Sequence, residues 1–249
     1  MWTLVGYRYY GTTGNILTYA PGLADQHVRV EGNNIVVPGG MGNLLGAFVL
    51  GVSLSRAQVE SPALRRTLLL DLGPINTGGS PLYPAPIFDA FYNPIPLDEY
   101  EPLRFLVAGS EASNENKVGL IWLGDGPQAP VTGEIYTVRC AASATLSPYA
   151  WTNGALTIGQ TLPAGRYQVV GMRAESANLI AARLVFVGGT WRPGCIGYNA
   201  TYEVEPSVFR RGALGVWGEF AHDQPPTVDF LSSGADTSET VWLDLIKVA

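Results

Sequence analysis

Short apolar stretches, some continuous and some alternating with polar residues, recur along the chain between turns rich in glycine and proline. In residues 27–31, polar side chains alternate with Val28 and Val30, which is the period of a half-buried strand. Residues 43–55 are mostly apolar but too rich in glycine for a stable helix, and they fit a strand buried on both faces. Thirty glycines and eighteen prolines are typical of many tight turns. The pattern predicts an all-β protein.

The strongest helix signal lies in residues 55–66. Ser55 and Gln58 have the spacing of a capping box, and Ser61 followed by Pro62 forms a second pair of N-cap and first helical residue. Because a proline ring fits badly inside a helix, this segment is predicted to hold one or two short helices.

One sequence pattern occurs twice. RFLVAGSEASNEN at residues 104–116 matches RYQVVGMRAESAN at 166–178, and LIWLG at 120–124 matches LVFVG at 184–188. Each copy is typical of a strand, a polar loop, a second strand and a glycine turn. Two copies are too few for a solenoid, so they predict two similar domains or one symmetrical sandwich. A chance match is the alternative, because strands draw on a small set of residue types.

The sequence PQAP at residues 127–130 follows the first copy and is the best candidate for a linker. The predicted domains are therefore residues 1–126 and 131–249. A weaker echo, TLLLDL at 67–72 and TVWLDL at 240–245, does not follow the order of the main repeat.

Residues 76–102 combine many prolines with aromatic residues. Such a segment cannot form central strands, yet it is too apolar for a disordered linker. It is predicted either to be an ordered arm lying over another surface or to be a long loop folded back on its own domain. Its aromatic side chains are the candidate inter-subunit contacts: Tyr83, Phe88, Phe91, Tyr92 and Tyr100.

The chain is 47% hydrophobic and only 14% charged, with a net charge of −6. A low charge suggests that partners cover much of the surface. The sequence has no basic run, so direct packaging of nucleic acid is not expected. The N-terminus lacks the basic and apolar regions of a secretory signal, and the longest apolar run, residues 44–52, is too short to span a bilayer.

Candidate catalytic residues are sparse. The only histidines are His27 and His222, no G-x-S-x-G sequence accompanies them, and two histidines are too few for a cupin metal site. Cys140 and Cys195 are interpreted as buried free thiols, although a disulfide between them is not testable from sequence.

Acidic residues cluster at Asp98, Glu99 and Glu101 and again at Asp236 and Glu239. Two carboxylates would suffice for glycoside hydrolysis, and loop acids could bind a structural calcium ion. Both clusters lie in polar loops, where solvated acids are the simpler interpretation. No catalytic, cofactor-binding or metal-binding residue is predicted.

Two halves of short strands, the duplicated strand pair, the linker at 127–130 and the closing ETVWLDLIKV resemble a small double jelly-roll major capsid protein. This class includes the adenovirus hexon and the coats of several tailless bacterial viruses. The resemblance implies two tandem jelly-roll β-sandwiches in each subunit. It also implies trimers of pseudo-sixfold outline, because three chains with two rolls each supply six similar units that tile an icosahedral shell.

The same resemblance implies a structural protein without enzymatic activity or cofactor, located in the virion and made in the host cytoplasm. Its partners would be further copies of the chain, minor capsid or vertex proteins and, in some viruses, an internal membrane. The alternative function is a carbohydrate-binding β-sandwich or adhesin, with Trp151, Trp191 and Trp217 as platforms for sugar rings. A glycosidase that uses two loop carboxylates is a third interpretation.

Overall fold

The structure is a computed structural model that describes residues 1–12, 18–20, 27–51, 54–63, 70–71, 87–109, 113–198 and 206–248. The chain divides into two compact units. The first unit is Leu4–Pro127, and the second is Met1–Thr3 together with Gln128–Ala249. The division therefore falls within the predicted linker at 127–130, whereas the first three residues belong to the second unit and not to the first predicted domain.

The described residues lie almost entirely in strands and their connections, so the prediction of an all-β protein is confirmed. The strands up to the division are β1 (Trp2–Gly11), β2 (Thr18–Ala20), β3 (Val30–Glu31), β4 (Asn34–Val36), β5 (Asn43–Gly51), β6 (Leu54–Glu60), β7 (Leu70–Asp71), β8 (Phe88–Asp89), β9 (Ile95–Pro96), β10 (Pro102–Gly109) and β11 (Glu115–Gly124). Those after it are β12 (Tyr136–Ala142), β13 (Trp151–Gly154), β14 (Leu156–Ile158), β15 (Arg166–Glu175), β16 (Leu179–Val185), β17 (Gly194–Ile196), β18 (Gly218–Ala221), β19 (Thr227–Ser232) and β20 (Glu239–Lys247).

The second unit contains two sheets, with strand orders β14-β12-β20-β15-β18 and β13-β19-β16-β17. Apart from the edge strand β14, its described strands form four antiparallel pairs: β12 with β20, β13 with β19, β15 with β18 and β16 with β17. In chain order, these pairs join the first strand to the eighth, the second to the seventh, the third to the sixth and the fourth to the fifth. An antiparallel ribbon with these four pairs, folded so that successive pairs alternate between two sheets, is a jelly roll. The second unit is therefore a jelly roll.

The same four pairs occur in the first unit: β1 with β11, β2 with β10, β5 with β8 and β6 with β7. Strand β11 also pairs with β5 in one sheet, and β10 pairs with β6 in the other. The remaining strands are additions, since the hairpin β3–β4 lies beside β10 and β9 pairs with β5. Both units have the jelly-roll strand order, which confirms the predicted fold class of two tandem jelly rolls.

The two copies of the sequence repeat occupy different positions in their rolls. The first copy falls on β10 and β11, the seventh and eighth strands of the first ribbon, whereas the second falls on β15 and β16, the third and fourth strands of the second ribbon. The strand-loop-strand prediction is correct for each copy, but the copies are not structurally equivalent. Both pairs cross from one sheet to the other with mostly buried side chains, and this shared environment accounts for the similar residues.

The predicted helix at 55–66 is wrong over its first half, which lies in strand β6. Pairing of β6 with β10 and β7 buries Ala57 and Val59, and this long-range pairing outweighs the local capping signals. Residues 62–63 are helical, residues 64–66 lie outside the described ranges, and a 3-10 helix spans Ser207–Phe209. No helix in the described part of the chain is long and apolar enough to cross a membrane.

Each roll has its own apolar core. In the first, the Tyr7 hydroxyl donates a hydrogen bond to the Leu103 carbonyl, and its ring centroid lies 5.8 Å from that of Phe105. Gly119 is required beside Phe105, because an added Cβ would lie 2.8 Å from the ring. In the second, the indoles of Trp2 and Trp217 meet edge to face at 4.7 Å.

Candidate assembly surface

The aromatic residues predicted to contact other subunits precede β10 of the first roll. Tyr83 lies outside the described residues, and Phe88 is half-buried in β8. Phe91 is buried, whereas Tyr92 and Tyr100 are 49% and 69% exposed. Of the described candidates, these two tyrosines are the exposed ones.

Residues 87–102 are bound along the first roll and do not form a separate arm. Strands β8 and β9 both pair with β5. Between and after them, the Ala90 amide donates to the Leu45 carbonyl at 2.8 Å, and the Leu97 amide donates to the Gly42 carbonyl at 2.9 Å. The second sequence interpretation, a loop folded back on its own domain, therefore holds for the described part of this segment.

Phe91 is placed in the core of the first roll. Its ring meets that of Trp122 edge to face at a centroid distance of 5.9 Å, and both side chains are fully buried. Such a side chain cannot contact a neighbouring subunit while the roll remains folded, so its prediction as a surface contact is corrected. The sequence could not separate Phe91 from the adjacent Tyr92, because both lie in a turn without regular alternation.

The acidic loop, residues 98–100, presents Asp98, Glu99 and Tyr100 on the surface. Tyr100 has a φ of 65°, a left-handed conformation that is uncommon for an aromatic residue. Its amide donates to the Val37 carbonyl at 2.9 Å, and the Glu99 carboxylate accepts from the Gly40 amide at 2.9 Å. These bonds hold the backbone of Tyr100 and the side chain of Glu99 in place.

Glu101, the third acid of this predicted cluster, has a structural role. Its side chain is buried and accepts hydrogen bonds from the Ala63 amide at 2.9 Å and the Asp98 amide at 3.1 Å. Both carboxylate oxygens of Glu101 are thus used to hold the acidic loop and the chain after β6. Glu101 is therefore engaged on both oxygens and is not presented to solvent as a general acid or base.

A second exposed surface was not predicted from the sequence. On the outer face of the second roll, Trp242 of β20 lies between Arg139 of β12 and Arg173 of β15 in the sheet register. The guanidinium carbon of Arg173 is 3.7 Å from the indole centroid, and that of Arg139 is 5.9 Å from it. Arg139 is exposed, and the other two side chains are half-buried. We call these three residues the arginine–tryptophan ladder.

Next to the ladder, Asp244 binds the segment that precedes β18. Its fully buried carboxylate accepts hydrogen bonds from the Thr137 hydroxyl at 2.6 Å, Arg210 Nε at 3.0 Å and the Arg211 amide at 2.8 Å. Burial alone would raise the pKa of Asp244, but the bonds from Arg210, Thr137 and Arg211 together lower it below the ordinary aspartate value. Asp244 therefore remains charged and secures this segment to the sheet.

The second predicted cluster of acids, Asp236 and Glu239, lies at the end of the second roll and is also part of its structure. Asp236 accepts bonds from the Ser176 hydroxyl and from the Ala177 and Thr237 amides, which lower its pKa despite partial burial. Glu239 is 2% exposed, and burial raises its pKa. Within the described ranges, no three His, Cys, Asp or Glu side chains lie close enough to hold a metal ion.

His222 lies at the rim of a shallow opening of about 370 Å³, and its Nδ1 accepts a weak hydrogen bond from the Gly165 amide at 3.4 Å. An adjoining apolar groove of about 230 Å³ is lined by residues that include Tyr136, Tyr167 and Leu245. His27, the other histidine, is half-buried in a turn of the first roll. The two histidines are on separate units, so they do not belong to one roll.

The three tryptophans proposed as sugar platforms are not equally available. Trp217 is 6% exposed and is packed against the rings of Trp2 and Phe209. The ring face of Trp151 has the Arg183 guanidinium carbon 4.0 Å from its centroid. Trp191 is half-buried. Because sugar binding needs an open indole face, Trp217 does not fit that role and Trp151 offers at most one face.

Both cysteines are buried and free, in different sheets of the second roll. Burial raises the pKa of the Cys140 thiol to about 12. The interpretation of two buried free thiols is therefore confirmed.

No protein-family model matches the sequence, and no curated protein matches it. Among solved structures, the chain is similar to the major capsid protein P2 from bacteriophage PM2. The match covers 100% of this chain and 98% of that chain, with 12% sequence identity and a TM-score of 0.25. A TM-score of this size does not establish a common fold, so the fold assignment rests on the strand order of the two rolls.

Proposed function

We propose that this chain is a major capsid protein whose subunits form trimers of pseudo-sixfold outline and tile an icosahedral virion shell. The observation that carries the proposal is the presence of two complete jelly rolls, with the same four strand pairs, in one chain. Three such chains supply six similar units, which can occupy a hexagonal arrangement with one gene product. Jelly rolls also serve in lectins and enzymes, so the function depends on surface and composition as well as on fold.

Composition supports a protein that is covered by neighbours. Only 14% of the residues are charged, compared with about a quarter in typical soluble domains. Glu101, Asp236 and His222 take part in hydrogen bonds within their rolls, which favours a structural role for these side chains. The burial of Trp217 weakens the alternative of a carbohydrate-binding adhesin.

In this role the first partner of the chain is another copy of itself, followed by minor capsid or vertex proteins. An internal membrane could be a further partner in some viruses of this kind. The protein would be made in the host cytoplasm and reside in the virion.

A structural calcium ion at loop acids is not part of the proposal, because the oxygens of Asp236 already accept bonds from protein donors.

The first test is the mass of the purified full-length protein by light scattering, with negative-stain imaging of the same sample. A stable trimer, or hollow particles of megadalton mass, is the expected result. A monomer at every concentration, combined with binding to a glycan array, would instead support the adhesin.

The predicted contact aromatics need substitutions and not a deletion, because removing the segment would also remove β8 and the buried Phe91. Tyr92→Ser and Tyr100→Asn each change an exposed side chain, and asparagine tolerates the left-handed backbone of residue 100. Folded variants that no longer form trimers would place these tyrosines in the interface. Unchanged trimers would remove them from it.

A further inference from the structure

We propose that the arginine–tryptophan ladder of one copy binds the acidic loop of a second copy of this chain. The inference rests on the proposed function and identifies a surface for the contact between subunits. It joins a patch on the second roll, Arg139, Trp242 and Arg173, to a patch on the first roll of the neighbour, Asp98, Glu99 and Tyr100.

The ladder has the composition of an interface centre. Tryptophan and arginine are the residue types that most often dominate binding energies in alanine scans. Here they are held before any partner arrives, since Arg173 stacks on Trp242 at 3.7 Å and β12, β20 and β15 fix their spacing. Holding long side chains in place in advance lowers the entropy lost on binding.

The flanking positions on this face are small or polar. Thr137 and Ala141 of β12 are exposed beside Arg139, and the half-buried Thr240 lies two residues from Trp242. Two carboxylates flank the ladder on this face: Asp244, which already accepts bonds from Arg210 and Arg211, and Glu175, which lies two residues from Arg173 on β15. The segment with Arg210 and Arg211 covers the face beside Asp244, and the ladder next to it places two guanidinium groups on either side of Trp242, in a chain whose net charge is −6.

The acidic loop has the complementary chemistry. It carries two exposed carboxylates beside a tyrosine that is 69% exposed. The Tyr100 amide donates to the Val37 carbonyl, and the Glu99 carboxylate accepts from the Gly40 amide through one oxygen. A left-handed φ at an exposed aromatic residue is a conformation with a cost, and such strain concentrates at functional surfaces. Arginine pairs with carboxylates in a planar fork, and tyrosine offers an aromatic ring to the half-buried indole of Trp242.

The choice of a second copy as occupant follows from charge and from symmetry. The cationic ladder calls for an anionic group on its occupant, and the acidic loop of a second copy supplies the carboxylates of Asp98 and Glu99. A contact between two different patches of the same chain is heterologous, and it closes into a ring when the rotation between copies permits. The ladder and the acidic loop are such a pair, and a ring of three is the assembly that the proposed function requires.

The test uses the full-length chain with Arg139→Glu, with Asp98→Lys and with both changes together. The concentration at half-assembly is measured by light scattering in low salt. Each single variant is expected to raise it at least about tenfold, the factor that corresponds to one close charge pair, while the double variant restores assembly because the pair is reversed. Lys247→Glu, an exposed change of the same charge on β20 outside the ladder, should assemble like wild type. Circular dichroism and thermal melting confirm that every variant is folded.

The outcomes separate this inference from the proposed function. A wild-type protein that remains monomeric at every concentration contradicts both. Wild-type assembly with single variants that assemble equally well, or with a double variant that shows no rescue, overturns the ladder contact and leaves the capsid role standing. Binding of wild type to phosphatidylglycerol vesicles that is lost in Arg139→Glu, with assembly unchanged, would assign the ladder to a membrane surface instead.

Discussion

Replacing Asp244 by alanine is expected to be the most informative change to the stability of the second roll. The carboxylate is fully buried and accepts bonds from a hydroxyl, a guanidinium and a backbone amide. Without it, the Arg210 charge and the Arg211 amide lose their acceptor at the sheet surface. The segment that contains Ser207–Phe209 would then lose these bonds to the sheet.

The expected loss of stability follows from the groups that Asp244 binds. Breaking a buried charge pair by removing one member typically costs about 3–5 kcal/mol. The Arg210 side chain is 21% exposed and can be partly hydrated, and Thr137 is exposed, so the lower part of this range applies. We expect Asp244→Ala to lower the free energy of unfolding by about 3 kcal/mol, and Asp244→Asn, which keeps one acceptor oxygen, by about half of that.

The pH dependence provides an independent check of the same reasoning. The pKa of Asp244 is lowered in the folded state, so the stability that its charge supplies is fully present above the unfolded value of about 3.9. It is lost as the pH falls through the folded pKa. The stability difference between wild type and Asp244→Asn should therefore be largest near neutral pH and should shrink in acid.

Urea unfolding of the full-length chain, followed by circular dichroism at pH 7 and at about pH 2–3, below the unfolded pKa, measures both effects. Asp223→Ala removes an exposed carboxylate from a turn of the same roll and should change stability by less than about 0.5 kcal/mol. A loss below about 1 kcal/mol for Asp244→Ala, or a difference from Asp244→Asn that does not change with pH, would refute the role assigned to this carboxylate.

Three further outcomes are expected. Glu239→Gln should stabilise the protein at pH 7, because burial raises the pKa of Glu239 and its charged form is unfavourable; the advantage should disappear towards pH 4, and thermal melting across this range would show it. Cys140 and Cys195 should resist a thiol reagent at pH 8 until urea unfolds the chain, whereas no reaction even then would indicate a disulfide. Gly119→Ala should cost about 1–3 kcal/mol in urea, because its Cβ would press on Phe105; an unchanged midpoint would contradict the packing.

The all-β class was predictable because it depends on local patterns. Alternation, glycine-rich apolar runs and frequent turns each constrain a few neighbouring residues, and β12 shows the expected period, with Val138 and Cys140 buried and Arg139 exposed. The helix expected at residues 55–66 failed because β6 is a central strand. Its pairing with β10 is made by residues that lie far apart in the sequence, and no local signal reports such a partner.

The sequence repeat identified real strands but not their places in the fold. Gly109 ends β10, a seventh strand, whereas its matched residue Gly171 lies within β15, a third strand, beside the Asp244 carboxylate. An added Cβ at residue 171 would lie 2.6 Å from that carboxylate and 2.7 Å from the Arg211 amide. Glycines that match in sequence can therefore have different structural roles. Because strands use few residue types, two segments can have similar sequences without occupying equivalent positions in the fold.

The arginine–tryptophan ladder shows why a surface can escape prediction from a sequence even when the strands that form it are predicted correctly. Strand β15 pairs Val169 with Leu245, and a one-residue bulge before Gly171 then shifts the register. Without this bulge, Met172 and not Arg173 would face Trp242, and the ladder would have an apolar side chain in place of its stacked guanidinium. Because a shift of one residue moves every following side chain to the other face, composition alone leaves the surface undetermined. The chemistry of the proposed contact is therefore encoded by the pairing of β15 with β20 and only indirectly by the residues themselves.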